Sequence, residues 1–130
     1  QTCVTSPPYF GLRDYGVDGQ IGLEENPQAY VDKMVEVFRC VKDLLADDGT
    51  LWLNLGDSYG AEKQLQGIPW RVALALQADG WYLRQDIIWA KPLSIFNKPK
   101  TLNKDDHISK YFFAITGHSA VARRWFCAFS

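Results

Sequence analysis

Alternating strand-like and helix-like segments make this 130-residue chain an α/β layer protein. Short apolar runs bounded by turn residues are followed by segments whose apolar residues recur at helical spacing. Hydrophobic residues at 47% and charged residues at 22% supply a core and argue against disorder. The order reads strand, helix, strand, helix, strand, strand. The first strands are therefore expected to run parallel, and the last pair can turn back as an antiparallel hairpin.

Residues 1–5 are the end of an extended run, stopped by Ser6-Pro7-Pro8 because two prolines forbid helix and disfavour a continuing ladder. Gly11, Gly16, Gly19 and Gly22 mark residues 9–22 as a loop. Asn26-Pro27 reads as a helix N-cap followed by proline at the first helical position. Beyond it Tyr30, Met34, Val37, Phe38, Val41, Leu44 and Leu45 share one helical face, with Asp32, Lys33, Glu36 and Arg39 between them. Asp47-Asp48-Gly49 ends this helix, with Gly49 expected as a left-handed cap. Residues 50–55 (TLWLNL) read as a buried strand, and residues 56–60 as the loop at its C-terminal end. A second helix is expected from about Pro69 to Ala78, closed by Asp79-Gly80. Residues 81–89 and 110–116 read as strands, residues 92–106 as a polar exposed loop, and residues 121–129 as a candidate further strand.

A chain of this length buries roughly two-thirds of its unfolded surface, enough for one domain. The formal net charge is -1, so any contact with nucleic acid must come from a local patch. Lys91, Lys98, Lys100, Lys104 and Lys110, with Arg123 and Arg124, are candidates for such a patch, although lysines in a loop are commonly just solvated. Cys3, Cys40 and Cys127 are scattered, and the histidines are His107 and His118; no metal site or disulfide framework is expected, and a reducing, cytoplasmic setting is. No apolar run approaches the roughly 18 residues of a membrane span, so no membrane partner is expected. No signal peptide opens the chain, and Gln1 stands where an initiator Met would, which suggests part of a longer reading frame.

In an open α/β sheet, ligands bind beyond the C-terminal ends of the strands. Two loops fall there, Thr5-Ser6-Pro7-Pro8-Tyr9 and Asn54-Leu55-Gly56-Asp57-Ser58-Tyr59. A Pro-Pro pair by itself reads as a stiff connector, and Asp57 reads equally as a turn residue bonded to its own backbone or as a group facing a ligand.

Three segments in order change that balance: TSPPYFGLRDYG, DGTLWLNLGDSYG and GIPWRVALALQADGWYLRQDIIWAKP. Together they resemble the S-adenosylmethionine-dependent DNA amino-methyltransferases, in the branch of bacterial and phage enzymes that place the catalytic motif before the cofactor motif. The resemblance covers residues 1–92, and residues 110–116 more loosely. It implies a partial Rossmann-like methyltransferase fold, the catalytic half of a three-layer α/β/α sandwich with parallel strands and a C-terminal antiparallel strand. It also implies DNA as partner, S-adenosylmethionine as methyl donor, and a setting in restriction-modification.

The reaction implied is methyl transfer to the exocyclic amine of a flipped base. By that resemblance Ser6 and the carbonyl of Pro7 accept hydrogen bonds from the amine, Pro8 stiffens the turn, and Tyr9 stacks on the base. Rigid acceptors cost no reorganisation when charge develops. Thr5 and Ser6 would lie beside the cofactor. Phe10 would help shape the pocket, Asp57 and Trp89 would line it, and Lys91 would border it; a core tryptophan and a solvated lysine are the plain alternatives for the last two. Arg13 is the best single candidate for a phosphate contact. Serine at position 6 favours cytosine N4 as target, with adenine N6 next. Methylation at cytosine C5 needs a nucleophilic cysteine, normally after proline, and none of the three cysteines follows one.

The departures are equally specific. No glycine-rich turn of the Asp-Pro-Phe-x-Gly-Ser-Gly type follows Thr116, the tail GHSAVARRWFCAFS leaves the family pattern, and only residues 61–66 stand where a target-recognition insertion would be. The expectation is one domain over residues 1–130 without an evident cofactor-binding half. Such a chain would self-associate through its first strand or the neighbouring helix face, or pair with a complementary cofactor-binding chain. The rival reading is a non-catalytic remnant that keeps the fold and has weak or no nucleic-acid affinity.

Overall fold

The computed structural model describes residues 1–89 and 110–117. They form, in chain order, β1 (Thr2–Thr5), α1 (Pro27–Leu44), β2 (Thr50–Gly56), α2 (Ile68–Ala78), β3 (Tyr82–Trp89) and β4 (Lys110–Thr116). These elements fall where the hydrophobic period and the turn signals put them. The loop expected over residues 92–106 and the strand expected over residues 121–129 lie outside the described residues.

The strands form one sheet in the order β1-β2-β4-β3. β1 pairs parallel with β2, and β4 pairs antiparallel with both β2 and β3, so β1, β2 and β3 all point the same way. The hairpin of β3 and β4 is as expected; the insertion of β4 between β2 and β3 is not visible in the element order. Its physical basis is the content of β4. Phe112, Phe113, Ala114 and Ile115 are apolar without a break, and a strand paired on both sides hides its backbone and most of its side chains.

Leu51, Leu53 and Leu55 alternate onto one face of β2, and their cross-strand neighbours Ile115 and Phe113 extend that face across β4. Met34 and Phe38 of α1 and Val72 and Leu76 of α2 pack onto it in a single core. Right-handed crossovers that advance in one direction across a sheet must place their helices on the same side. The described residues therefore supply the sheet and one helical layer of the sandwich. The opposite face carries Trp52, Asn54, Phe112 and Trp89.

Asn26 caps α1 as expected, its side-chain oxygen accepting from the Ala29 N–H at 2.9 Å. The other end differs. Leu45 closes the helix by donating to the Val41 and Lys42 carbonyls, and Gly49 is not left-handed. Its N–H donates to Ala46 O at 2.7 Å, and a Cβ there would stand 2.8 Å from that same oxygen. Glycine serves at this turn for space and not for handedness. Among the described residues no helix is long and apolar enough to cross a membrane.

Candidate active site

Because β1, β2 and β3 run the same way, their C-terminal ends and the start of β4 share one edge of the sheet. The register sets Gly56, Lys110 and Trp89 side by side across β2, β4 and β3. The turn of residues 6–9 leaves β1 at this edge and lays the Tyr9 ring on Gly56. A Cβ at Gly56 would lie 2.8 Å from Tyr9 Cε2, so only glycine gives the ring its seat. Ser6 Oγ donates to Tyr9 Oη at 3.2 Å, and Lys110 Nζ stands 5.6 Å from the centre of the same ring. Trp89 stacks on Phe112 with ring centres 5.8 Å apart and remains half exposed.

The backbone of the turn is held from outside. Tyr30, fully buried on the first turn of α1, donates its hydroxyl to the Pro8 carbonyl at 2.8 Å. Burial pushes the Tyr30 pKa well above the usual tyrosine value, and the Glu24 carboxylate and Tyr9 add to the shift, so the group stays a donor. Gly11 N–H donates to Gly22 O at 2.8 Å and closes the following loop on itself. Gly22 sits under the Tyr9 carbonyl at a positive φ of 105°, where a Cβ would come within 2.9 Å of that oxygen.

The turn after β2 uses its polar groups differently. Asp57 Oδ1 accepts from the Ser58 N–H at 2.8 Å and from Ile68 N–H at 3.0 Å, while Oδ2 accepts from Gly67 N–H at 2.9 Å. Gly67, the N-cap position of α2, has no side chain to cap with, and Asp57 performs that task from across the loop. Ser58 Oγ donates to Gln66 Oε1 at 3.1 Å, and Gln66 N–H returns to Ser58 O at 3.0 Å. Asp57 thus bonds its own backbone, as the turn reading expects, and latches α2 to the sheet as well.

Phe10 turns inward, its ring 5.6 Å from Tyr30 and packed against the core. Thr5 closes β1. Arg13 is exposed on the glycine loop, beside an open groove of about 730 Å³ whose lining includes the acidic Asp14, Asp18 and Glu24. Lys91, His107, His118, Cys127 and the basic residues at 98, 100, 104, 123 and 124 lie outside the described residues. Tyr30 is the residue of this edge that the sequence does not single out; Gly56 falls in the second candidate loop and Lys110 in the basic stretch, but the sequence puts neither beside Tyr9. Tyr30 carries the same periodicity signal as the core residues around it, and only its hydroxyl marks it as different. Gly56 could be found as a glycine at a strand end, where a close approach is common.

The family model N6_N4_Mtase, described as a DNA methylase, matches residues 1–120. The type II methyltransferase M.SmaI of Serratia marcescens is 50% identical over 117 aligned positions, which take in 68% of this chain and 40% of that one. M.Cfr9I of Citrobacter freundii is 41% identical over 141 aligned positions, 87% of this chain and 46% of the relative. Among solved structures, the cytosine-N4-specific PvuII DNA methyltransferase superposes with a TM-score of 0.60 at 22% identity, over 88% of this chain and 42% of the other. A Thermus thermophilus protein described as a candidate DNA modification methylase, solved with S-adenosyl-L-methionine, gives 0.62 at 21% identity over 91% and 45%. The chain spans less than half the length of each of these proteins.

Proposed function

The chain belongs to the N6/N4 DNA methylase family, and on that premise we propose that it is the catalytic portion of an enzyme that methylates the exocyclic amine of a base flipped out of DNA. The observation that carries this reading is the turn of residues 6–9: a serine hydroxyl and a proline carbonyl at a strand end, beside a tyrosine ring seated on Gly56. An aromatic amine is a poor nucleophile because its lone pair is delocalised into the ring. Two fixed acceptors for its N–H groups favour a more tetrahedral nitrogen with the lone pair directed outward, and a rigid turn provides them without reorganisation. Tyr9 offers a stacking face for the base, and Trp89 and Lys110 border the same edge. Cytosine N4 is the favoured target, supported by Ser6 and by the cytosine-N4-specific activity named for the PvuII enzyme; adenine N6 is next.

S-adenosylmethionine supplies an activated methyl on a sulfonium. The described residues fit it on one side only. On this reading Thr5 and Ser6 would lie beside the donor, but the Asp-Pro-Phe-x-Gly-Ser-Gly type of turn by which the family would grip the donor does not occur among the described residues. The reading therefore assigns donor binding to a second unit of the kind that completes the longer relatives, in the same polypeptide, a second copy or a companion chain. β1, the edge strand of the described sheet with Val4 exposed, is the surface for that association. A cytoplasmic setting, where DNA and donor are both present, goes with this function.

The test is mass spectrometry of nucleosides from DNA incubated with the protein and S-adenosylmethionine bearing a deuterated methyl. Labelled N4-methylcytosine is expected, and labelled N6-methyladenine would reassign the base. Absence of both in a protein that does bind the donor by calorimetry would leave the non-catalytic remnant as the better reading, whereas absence of both with no donor binding at millimolar ligand would mean that this chain alone is a catalytic-half fragment.

A further inference from the structure

We infer that Tyr30 is a positioning residue of this site: its hydroxyl, by holding the Pro8 carbonyl, orients the turn so that the Pro7 carbonyl is the one presented to the amine. The inference rests on reading residues 6–9 as the amine-holding turn. Pro7 and Pro8 have no N–H, so across the middle of this turn the chain cannot bond to itself as a donor. The turn can be fixed only through its carbonyls or by packing, and the partners must come from elsewhere.

Two such partners are present, one on each side of the Pro8–Tyr9 peptide. Tyr30, 22 residues downstream, donates to Pro8 O at 2.8 Å from a fully buried position. Gly56 seats the Tyr9 ring, which a Cβ would strike at 2.8 Å. With φ locked near -65° at both prolines, fixing Pro8 and Tyr9 leaves the Pro7 carbonyl little freedom. The bond to Tyr30 also occupies one carbonyl and so distinguishes two otherwise similar acceptors; among the described residues no hydrogen bond ends on Pro7 O. The ring of Tyr30 packs like any core aromatic, 5.6 Å from Phe10, and phenylalanine would fill the same space. The hydroxyl is what packing does not require.

The experiment compares Tyr30→Phe with Phe38→Leu, a core change on the same helix away from the turn. Backbone relaxation by NMR is read at the Ser6 and Tyr9 amides. In Tyr30→Phe their order parameters are expected to fall from about 0.85 to below about 0.6 while β2 stays rigid. Phe38→Leu is expected to lower Tm at least as much and leave both amides rigid. Rigid amides in Tyr30→Phe, or equal loosening in both variants, would overturn the inference. In methyl-transfer assays of the same proteins, Tyr30→Phe should lower kcat about tenfold or more with KM for donor and DNA unchanged, because sub-ångström misplacement of a reacting group acts on the chemical step. An unchanged kcat would also overturn it. A wild-type protein that transfers no methyl group would count against the methyl-transfer reading, and the relaxation comparison would still decide whether Tyr30 positions the turn.

Discussion

The turn after β1 and the turn after β2 leave the sheet from adjacent parallel strands, at the same edge, and both are built from serine, an aromatic residue and conformationally special residues. They differ in where their polar groups end. After β2, the Asp57 carboxylate takes three backbone N–H groups, and Ser58 closes on Gln66. After β1, the backbone is gripped by Tyr30 and Gly56 while Ser6 stays exposed and, among the described residues, its side chain reaches only the Tyr9 hydroxyl. One turn directs its polarity inward and fastens a helix; the other is fastened from behind and presents its polarity outward. Polar residues at a strand end are thus no measure of a site until their partners have been counted.

Asp57→Ala should produce the largest loss. It leaves the N–H groups of Gly67 and Ile68 without their acceptor in a partly or fully buried place, and about 2–4 kcal/mol of stability should disappear in urea unfolding. A loss below about 0.5 kcal/mol would mean that the latch is not structural, and the contrast between the turns would collapse. Gly56→Ala should come second, at about 1–3 kcal/mol, because the new methyl must displace the Tyr9 ring. Altered chemical shifts of that ring would be the direct sign, and an unmoved ring would show that the seat is loose.

Tyr30 predicts a smaller, pH-dependent effect. Its folded pKa is raised, so above about pH 10 the unfolded chain loses this proton first. The contribution is whole below about pH 10 and is lost as pH rises towards the folded value, with a slope of at most about 1.4 kcal/mol per pH unit. Tyr30→Phe should flatten that part of the alkaline stability profile, and an unchanged slope would show that the hydroxyl titrates alike in both states. Ser6→Ala should change stability least, within about 0.5 kcal/mol, while lowering methyl transfer about a hundredfold. If it destabilises the protein as much as Asp57→Ala does, the outward turn is structural too.

The elements themselves were legible because each carries its own signal. Asn26-Pro27 caps α1 with local chemistry, and the short apolar run of residues 50–55, bounded by turn residues, declares a buried strand. Gly49 was misleading because a glycine after a helix suits either a left-handed cap or a crowded turn, and the residue type is the same for both. Residues 6–9 could be singled out as a turn with chemistry, whereas Tyr30 could not, since a tyrosine on the apolar face of a helix gives no hint of which carbonyl its hydroxyl will meet.

What the sequence by itself determined is local: strands, helices, their order, the proline turn, and three segments whose succession places the chain among the DNA methylases. What only the tertiary structure decided is pairing across distance: β4 between β2 and β3, Asp57 on the N-terminus of α2, Tyr30 on Pro8, Gly56 beneath Tyr9. The physical reason is that periodicity and turn chemistry act over a few residues, whereas a carbonyl or a carboxylate takes whichever donor the packed core brings within about 3 Å.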